Sequence, residues 1–262
     1  LINCKSYSEI FNPQNQNFRI QKIKPSIILA KKKENFIMNT PKDFTIGFKE
    51  NYYFSHMLNC IYDCKYCFLQ GMFNSANFVV FTNFNDFINE IKKKSSKKNQ
   101  KICFFSGYDC DSLALEKITN FLSFFLKRFE KINNAYLEVR TKSTNIDVFK
   151  NVKPMKNVII AYSLNPEIIV KEFEQKTPSL KKRINSINYL QERGWQIGLR
   201  FDPLINYGNN KLIYKKFFNY IFSKIQVEKI HSVTTGQFRM PNNFFNKLIN
   251  IRPEDSLIFN KL

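Results

Sequence analysis

Apolar residues follow two alternating patterns along the chain. Between the expected strands, they recur three and four positions apart, which is typical of helices that pack on one face. The clearest helical segments run from Asp111 to Ile132 and from Pro178 to Arg193. For the second, Thr177 is the expected N-cap and Gly194 suits the position after the last turn. Short apolar, β-branched or aromatic runs predict six β-strands, at 52–58, 101–106, 135–140, 157–162, 196–201 and 230–235.

Six strand and helix repeats predict an α/β fold that forms a partial (β/α)6 barrel, because a complete eight-unit barrel typically takes about 250 residues. Residues 1–45 are rich in Asn, Gln and Lys and interrupt this rhythm. We therefore expect an irregular N-terminal extension over 1–45, partly covering the barrel and partly loose, followed by the barrel over 46–262. The polar segment Lys92–Gln100 is expected to be an exposed linker.

The charge balance favours a polyanionic partner. The chain has 262 residues and a formal net charge of +20, which attracts nucleic acid over long range. An alternative explanation is AT-rich coding, since Lys is abundant together with Asn, Ile and Phe. The lysine runs at 31–33, 92–94 and 97–98 are typical of solvated faces. Candidate phosphate contacts are Lys181, Lys182, Arg183, Arg200 and Arg239, and the alternative for each is a side chain that is merely exposed or paired.

The sequence indicates an intracellular protein. No apolar run approaches the roughly 18 residues that span a bilayer, and the first residues lack a secretory pattern, so we expect a cytoplasmic location and no membrane partner. No phosphate-cradling glycine loop or Ser–His–Asp arrangement is evident.

The strongest chemical signal is a C-x3-C-x2-C motif directly after the first predicted strand, formed by Cys60, Cys64 and Cys67. Three thiolates on one loop can ligate three irons of a [4Fe–4S] cluster and leave the fourth iron without a protein ligand. S-adenosylmethionine can fill that position and yield a 5′-deoxyadenosyl radical, which abstracts a hydrogen atom. The motif therefore predicts a radical S-adenosylmethionine enzyme.

A structural zinc site is the alternative for these cysteines. Zinc prefers four protein ligands in such sites, and Cys4, Cys103, Cys110 or His56 could supply the fourth. Zinc sites usually pair two C-x2-C elements, and a second element is missing from the sequence. The iron–sulfur interpretation is therefore favoured.

Several ordered segments resemble the spore photoproduct lyase family of DNA-repair enzymes. The resemblance extends over about residues 25–240, and its segments are PSIILAKKKENF from Pro25, the cysteine loop, SGYDCDSLALEKIT at 106–119, RTKS at 140–143, YSLNPEIIVKEFEQKTPSLKKRI at 162–184 and IGLRFDPLI at 197–205. It implies a partial radical-SAM barrel and a lyase that repairs a thymine dimer-like DNA lesion. It further implies a [4Fe–4S] cluster, S-adenosylmethionine, DNA as a partner and a one-electron donor such as a flavodoxin or ferredoxin.

The resemblance also assigns residues to the cofactors. The three motif cysteines match the cluster ligands, and Tyr66 matches an aromatic residue near the cofactor. Lys142 matches a lysine that meets the methionyl carboxylate, although a solvated lysine at a strand end is the alternative. Ser163 and Asn165 match polar residues around the cofactor, and a capping turn before a proline is their alternative.

This chain departs from the family at the residues that return a hydrogen atom to the product radical. In the family's repair enzymes, a cysteine after the second strand returns a hydrogen atom to the product radical, and a tyrosine after the third cluster cysteine assists. This chain has Phe68 at the tyrosine position, and an ungapped alignment places Tyr108 at the donor position, with Cys110 two residues away. Either Cys110 or Tyr108 could act as the donor, or Cys110 is a small buried apolar residue.

Two other functions remain open at this level. A radical enzyme acting on RNA, a peptide or a small molecule would agree with Phe68 and Tyr108. A non-catalytic, basic nucleic-acid-binding module stapled by zinc would agree with the charge. Near the fifth predicted strand, Asp202 is expected either to bind the cofactor or to pair with Arg200.

Overall fold

The computed structural model of the chain describes residues 3–42, 44–97 and 100–255. Its strands are β1 (Ile27–Ala30), β2 (Met38–Asn39), β3 (Glu50–Phe54), β4 (Met57–Leu58), β5 (Asp63–Cys64), β6 (Phe78–Phe81), β7 (Ile102–Ser106), β8 (Ala135–Thr141), β9 (Val158–Ser163), β10 (Glu174–Gln175), β11 (Gln196–Leu204) and β12 (Ile230–Gln237).

The α-helices of the same residues are α1 (Ser8–Phe11), α2 (Phe18–Ile23), α3 (Leu69–Met72), α4 (Phe84–Ser96), α5 (Glu116–Thr119), α6 (Phe121–Phe129), α7 (Glu167–Phe173), α8 (Leu180–Glu192), α9 (Asn210–Lys224) and α10 (Asn242–Ile251). Short 3-10 helices cover Asp147–Lys150, Val227–Lys229 and Pro253–Asp255. Among the described residues, no helix combines the length and apolar character that a membrane crossing requires.

The main sheet contains five of the six predicted strands and the first part of the sixth, predicted at 52–58, because β3 ends at Phe54 and β4 pairs with β6 in another sheet. Its order is β12-β11-β9-β8-β7-β3-β2, and every neighbouring pair from β3 to β12 is parallel, whereas β2 joins its edge antiparallel. All residues of β7 and β9 are buried, as expected where helices or other structure cover both faces of a parallel sheet. This burial explains why apolar runs located the strands.

Two helices differ from the prediction. The segment from Asp111 to Ile132 is not one helix, because Asn120 takes a left-handed conformation with φ of 48° between α5 and α6. The side chain of Glu116 caps the second helix, since its carboxylate accepts hydrogen bonds from Leu122 N at 2.8 Å and Ser123 N at 2.9 Å. A buried acceptor for these amides thus lies in the preceding helix.

The residue that caps the start of α8 was also predicted wrongly. Ser179, not Thr177, caps this helix, and its hydroxyl accepts from Lys182 N at 3.4 Å. Thr177 instead donates to Glu174 O at 2.7 Å. Gly194 follows the helix with φ of 86°, which confirms its predicted place.

The crossover connections are not all helical. Between β8 and β9 the chain forms only the 3-10 helix Asp147–Lys150, whose Phe149 packs edge-on against Trp195 with ring centroids 5.0 Å apart. The expected helix is therefore missing from this connection. Helix α4 extends to Ser96, so most of the expected Lys92–Gln100 linker is helical; Lys98 and Asn99 lie outside the described residues.

The N-terminal segment packs against the strand that follows the cysteine loop. Strand β1 pairs with β6 in parallel, and β4 pairs with the other edge of β6. Phe11, Phe18 and Ile28 are buried. At the other end of the chain, α10 packs on α3, where a Cβ on Gly71 would lie 2.3 Å from Phe244 O. Both ends of the described chain therefore contact the region of the cysteine motif.

Candidate active site at the cysteine loop

The cysteine loop follows β3 and β4 at the carboxyl end of the parallel sheet. Asn59 introduces it with φ of 70°, a left-handed conformation that Asn tolerates better than most residues. Its buried amide donates to Ser75 O at 2.6 Å and Asn77 O at 2.8 Å. These bonds fix the backbone immediately before Cys60.

The middle of the loop is held by a two-stranded pairing with a distant segment. Strand β5 pairs antiparallel with β10, which sets Cys64 opposite Glu174. Lys65 N donates to Phe173 O at 2.7 Å, and the side chain of Gln70 donates to Cys64 O at 2.7 Å. The pairing thus brings the region after β9 against the cysteines.

Ion pairs attach an N-terminal and a C-terminal segment of the described chain to the loop. Asp63 pairs with Arg19 at 2.9 Å and with Arg252 at 2.5 Å, and Lys65 pairs with Asp255 at 2.7 Å. Burial alone would raise the pKa of Asp63, but the two guanidinium groups outweigh it and hold the pKa below its usual value. Asp63 is therefore ionised, and it links the loop to Arg19 and Arg252.

The three motif thiols lie within range of one another's charge. Burial raises the pKa of Cys60 to about 12, and it also raises the pKa of Cys64 and Cys67. Two cations act in the opposite direction: Lys22 lowers the pKa of Cys60 and Cys67, and Lys142 lowers that of Cys64 and Cys67. Lys22 also donates to Cys60 O. Cations thus stand beside thiols that a bound metal would deprotonate.

The number and chemistry of these donors fit an iron–sulfur cluster with one open iron. Within 3–42, 44–97 and 100–255, no group of three or more His, Cys, Asp or Glu side chains is arranged to hold a metal ion. Of the fourth zinc ligands considered from sequence, Cys4 is exposed, Cys103 lies in β7 and His56 stacks on Phe121, whereas Cys110 is near enough to Cys60 for their charges to interact. The fit therefore rests on the number, chemistry and sequence spacing of the three thiols on one loop, and not on a preformed ligand geometry among the described residues.

Glu174 is the centre of the polar contacts beside the cysteines. This fully buried carboxylate accepts hydrogen bonds from Tyr66 Oη and, at 3.1 Å, from Asn165 Nδ2. Its Oε2 lies 2.6 Å from Arg183 Nη2, and its Oε1 lies 3.9 Å from Lys142 Nζ. Burial would raise the pKa of Glu174, but the charges of Lys142 and Arg183 outweigh it and lower the pKa.

Lys142 is positioned by a second buried carboxylate. Asp111 Oδ2 accepts from Lys142 N at 2.7 Å, and Oδ1 accepts from Thr141 Oγ1 at 2.7 Å. Burial alone would lower the pKa of Lys142, but Glu174 and Cys64 raise it above the usual value. The side chain is thus a cation with its ammonium 5.7 Å from the centroid of the Tyr66 ring.

These side chains fit the polar end of S-adenosylmethionine. The Lys142 ammonium suits a carboxylate. The buried Oδ1 of Asn165 has no hydrogen-bond partner among the described residues, and it can accept from an amino group. Ser163 is also buried, and its carbonyl accepts from Arg183 Nη1 at 3.0 Å. The structure therefore brings Tyr66, Lys142 and Asn165 together, with Ser163 joined to them through Arg183.

The two candidate hydrogen donors occupy different surroundings. Tyr108 is half-buried, and its ring lies 5.9 Å from that of Phe68. Cys110 is buried in a small apolar cluster with Met57, Phe78 and Val80, among others. Burial raises the pKa of the Cys110 thiol well above its usual value, and Cys60 is near enough to act on it. Both residues therefore border the cysteine loop, from different sides.

Several charged residues are not where the sequence analysis expected them. Arg183 and Arg200 are fully buried in ion pairs with Glu174 and Glu138, so neither can reach a phosphate from its observed position. Asp202 is not the partner of Arg200, because Glu138 takes that place. Exposed candidates for phosphate contact remain at Lys181, Lys182 and Arg239.

Sequence reasoning missed Glu174 and Asp111 as organisers of the site. Asp111 directly precedes an apolar run in CDSLAL, whereas Glu174 stands among polar residues in KEFEQK, so its sequence surroundings give no signal of a buried charge. Neither segment identifies its partners, which come from distant parts of the chain. The hydrogen bonds could not be predicted without the fold.

Comparisons with known proteins agree with this arrangement. A family model described as "Spore photoproduct lyase" matches residues 30–248. A spore photoproduct lyase of Clostridium acetobutylicum is 22% identical over 209 residues, which cover 79% of this chain and 62% of the relative. One of Bacillus subtilis is 20% identical over 177 residues, covering 67% and 52%. The chain thus spans between half and two thirds of the length of these relatives.

Solved structures confirm the fold class. A mutant spore photoproduct lyase superposes with a TM-score of 0.82 at 15% identity, covering 96% of this chain and 74% of that one. Another mutant, with dinucleoside spore photoproduct, gives a TM-score of 0.77 at 15% identity and covers 87% and 66%. The predicted α/β partial barrel is therefore correct.

Proposed function

This chain belongs to the spore photoproduct lyase family, and from that membership we propose that it is a radical S-adenosylmethionine lyase that repairs a thymine dimer-like lesion in DNA. One observation carries the proposal: Lys142 and Tyr66 converge on buried Glu174, directly across β5 and β10 from Cys64. A cation for a carboxylate thus stands beside the thiol motif.

In this proposal, Cys60, Cys64 and Cys67 hold a [4Fe–4S] cluster, and Lys142 binds the carboxylate of S-adenosylmethionine. When bound, the two cofactors supply a 5′-deoxyadenosyl radical. The protein's part is positioning: Glu174 keeps Lys142 cationic and fixes the Tyr66 hydroxyl. Asn165, through its unpartnered Oδ1, and Ser163 complete the polar wall.

We propose that Tyr108 returns the hydrogen atom to the product, with Cys110 as the alternative donor. Phe68 has no hydroxyl to donate, and Tyr108 is the phenol whose ring packs 5.9 Å from it. Cys110 is enclosed by Met57, Phe78, Val80 and Leu115, which supports an apolar packing role. Tyr66 is less suited to this step, since its hydroxyl already donates to Glu174.

We propose DNA as the partner and the cytoplasm as the location. The net charge of +20 supports binding to a polyanion, and exposed Lys181 and Lys182 are available for phosphate contact. The six cysteines are free thiols, which agrees with a reducing compartment. A one-electron donor such as a flavodoxin or ferredoxin would reduce the cluster.

A decisive experiment is anaerobic reconstitution with iron and sulfide, followed by reduction with S-adenosylmethionine and assay of 5′-deoxyadenosine. We expect a brown protein that forms 5′-deoxyadenosine, with loss of both properties in Cys64→Ala. Exposed Cys4 offers the matched control, because Cys4→Ala should retain both. A colourless protein that binds one zinc and forms no 5′-deoxyadenosine would contradict the proposal.

A radical enzyme acting on RNA, a peptide or a small molecule is the second candidate, favoured by Phe68 in place of the family's tyrosine. Ultraviolet-irradiated DNA separates the two functions. Restoration of unlinked thymines supports DNA repair, whereas 5′-deoxyadenosine without any change in irradiated DNA supports the second candidate.

A further inference from the structure

A second buried charge cluster lies inside the barrel, on the strand that ends at Thr141, directly before Lys142. Glu138 of β8 is fully buried and pairs with Arg200 through Nη2–Oε2 at 2.7 Å and Nε–Oε1 at 3.2 Å. Its Oε1 also accepts from Arg140 Nε at 3.0 Å. Burial would raise the pKa of Glu138, but the two guanidinium groups outweigh it and lower the pKa. Two cations on one carboxylate leave a net charge of one positive unit.

The two arginines differ in what their remaining donors do. Arg200 is fully buried and also donates to Leu199 O, Ser232 O and Ser232 Oγ. The side chain of Arg140 is 24% exposed, and within the described part of the chain its two terminal nitrogens donate no hydrogen bond. Arg140 is thus anchored to Glu138 through Nε, and Nη1 and Nη2 remain able to donate to a ligand. These two terminal nitrogens form a planar fork of donors. Such a fork matches two oxygens of an anionic group.

One aromatic ring lies over the Arg140 guanidinium, and two further rings continue from it. The guanidinium carbon of Arg140 lies 4.9 Å from the centroid of the Phe44 ring. Phe44 contacts Tyr108 edge-on at 5.8 Å, and Tyr108 stacks on Tyr53 with centroids 4.2 Å apart and an interplanar angle of 30°. Phe44, Tyr53 and Tyr108 are each half-buried. Through Phe68, which follows Cys67, this aromatic group borders the cysteine loop.

We propose that Arg140, Phe44, Tyr53 and Tyr108 form a binding site for an unstacked pyrimidine nucleotide. The aromatic residues pack against the base, and the terminal nitrogens of Arg140 bind the adjoining phosphodiester. Base stacking on aromatic side chains and cationic contact with the backbone are the usual means of binding single-stranded nucleic acid. A lesion presented to a barrel must leave the duplex stack in the same way. The inference rests on the proposed function and names the residues that receive its substrate.

The test uses the reconstituted protein and two probes: the dinucleotide thymidylyl-thymidine and its uncharged methylphosphonate analogue. We expect Arg140→Gln to weaken binding of the charged dinucleotide roughly tenfold or more, as for loss of a charge-assisted hydrogen bond. Binding should also become less sensitive to salt, because the variant lacks the cation that contacts the phosphodiester. Arg128→Gln is the matched control, since Arg128 is also half-buried over a phenylalanine ring, at 3.5 Å from Phe124, but on α6. It should bind as the wild type does.

The uncharged probe makes the test independent of how well the variant folds. With the wild-type protein, replacing the phosphodiester should weaken binding by about the same factor as Arg140→Gln. Equal affinity of the wild type for both probes, or of Arg140→Gln and the wild type for the charged probe, would overturn the site.

Failure of the proposed function remains distinguishable. Formation of 5′-deoxyadenosine by the wild type without any nucleotide reports the cofactor chemistry alone. If 5′-deoxyadenosine forms while Arg140→Gln binds the dinucleotide as tightly as the wild type does, the nucleotide site is wrong and the radical function stands. If none forms while binding depends on Arg140, the nucleotide site stands and the radical function is wrong.

Discussion

The ammonium of Lys142 lies 3.9 Å from Oε1 of Glu174, and the guanidinium of Arg183 lies 2.6 Å from the other oxygen of the same carboxylate. Glu174 and Arg183 are fully buried, and the side chain of Lys142 is 16% exposed. Two cations near the cysteine loop thus share one anion. The carboxylate has two effects: it stabilises the fold, and it orients the cation proposed to meet S-adenosylmethionine.

The first prediction concerns the stabilising effect. Glu174→Gln keeps the shape of the side chain but leaves the buried Arg183 and the nearby Lys142 without their counter-charge. Breaking a buried ion pair from one side typically costs about 3–5 kcal/mol. We expect a decrease of that order in the free energy of unfolding, measured by urea denaturation at neutral pH.

Glu192→Gln provides the control for this substitution, because Glu192 is exposed at the end of α8. Its effect should be within about 0.5 kcal/mol. If both variants unfold at the same urea concentration, Glu174 does not stabilise the fold through its charge.

The second prediction concerns Lys142 itself. In the reconstituted protein, Lys142→Gln removes the ammonium but retains the Asp111 contact, which is made by the backbone nitrogen. We expect S-adenosylmethionine affinity to fall roughly tenfold or more while iron content is unchanged. Equilibrium dialysis measures the first quantity and iron analysis the second.

Lys153→Gln is the matched control, since Lys153 is exposed in the same connection between β8 and β9. It should leave the S-adenosylmethionine affinity unchanged. Equal affinity in Lys142→Gln and the wild type would refute the assignment of Lys142.

The strands of the main sheet were predictable because β7 and β9 are buried from end to end and most residues of β8 between them are buried. The run at 157–162, for example, is β9 displaced by one residue, with every side chain buried. The cysteine motif was also visible, because its ligands are neighbours in sequence. Local patterns thus suffice where the physical cause is local or where burial is continuous.

The remaining features depend on contacts between distant residues. The break at Asn120 accompanies a cap supplied by Glu116, and the Glu174 contacts join Tyr66, Lys142 and Arg183 from three other segments. Arg183 lies in KKRI, which by composition is typical of a solvated face, yet it is fully buried. Whether such a charged side chain is buried depends on its ion-pair partner, and a sequence pattern does not identify that partner.

The third prediction separates the two candidate hydrogen donors. Because Tyr108 packs beside Phe68 at the cysteine loop, Tyr108→Phe should keep the ring contacts and remove only the hydroxyl. We expect repair of irradiated DNA to fall by about 10²-fold or more, the usual range for loss of a positioned proton-transfer group, while 5′-deoxyadenosine still forms. Cys110→Ala should retain most repair activity, because its thiol is enclosed among apolar side chains. The reverse pattern would assign the role to Cys110.

The fourth prediction concerns pH and His56. This side chain is 2% exposed, stacks on Phe121 with centroids 3.6 Å apart, and leaves Nδ1 without a partner among the described residues. Burial lowers the pKa of His56 from 6.5 to about 3. Below pH 6.5, His56 is protonated in the unfolded chain but stays neutral in the folded chain. The free energy of unfolding therefore decreases as the pH is lowered below 6.5. Between pH 7 and pH 5 the loss of unfolding free energy should be about 2 kcal/mol, measured by urea denaturation.

His56→Phe keeps an aromatic ring and should remove this part of the loss, whereas His231→Gln, at a half-buried histidine, should retain most of it. An equally steep fall in His56→Phe would mean that His56 is not responsible for it.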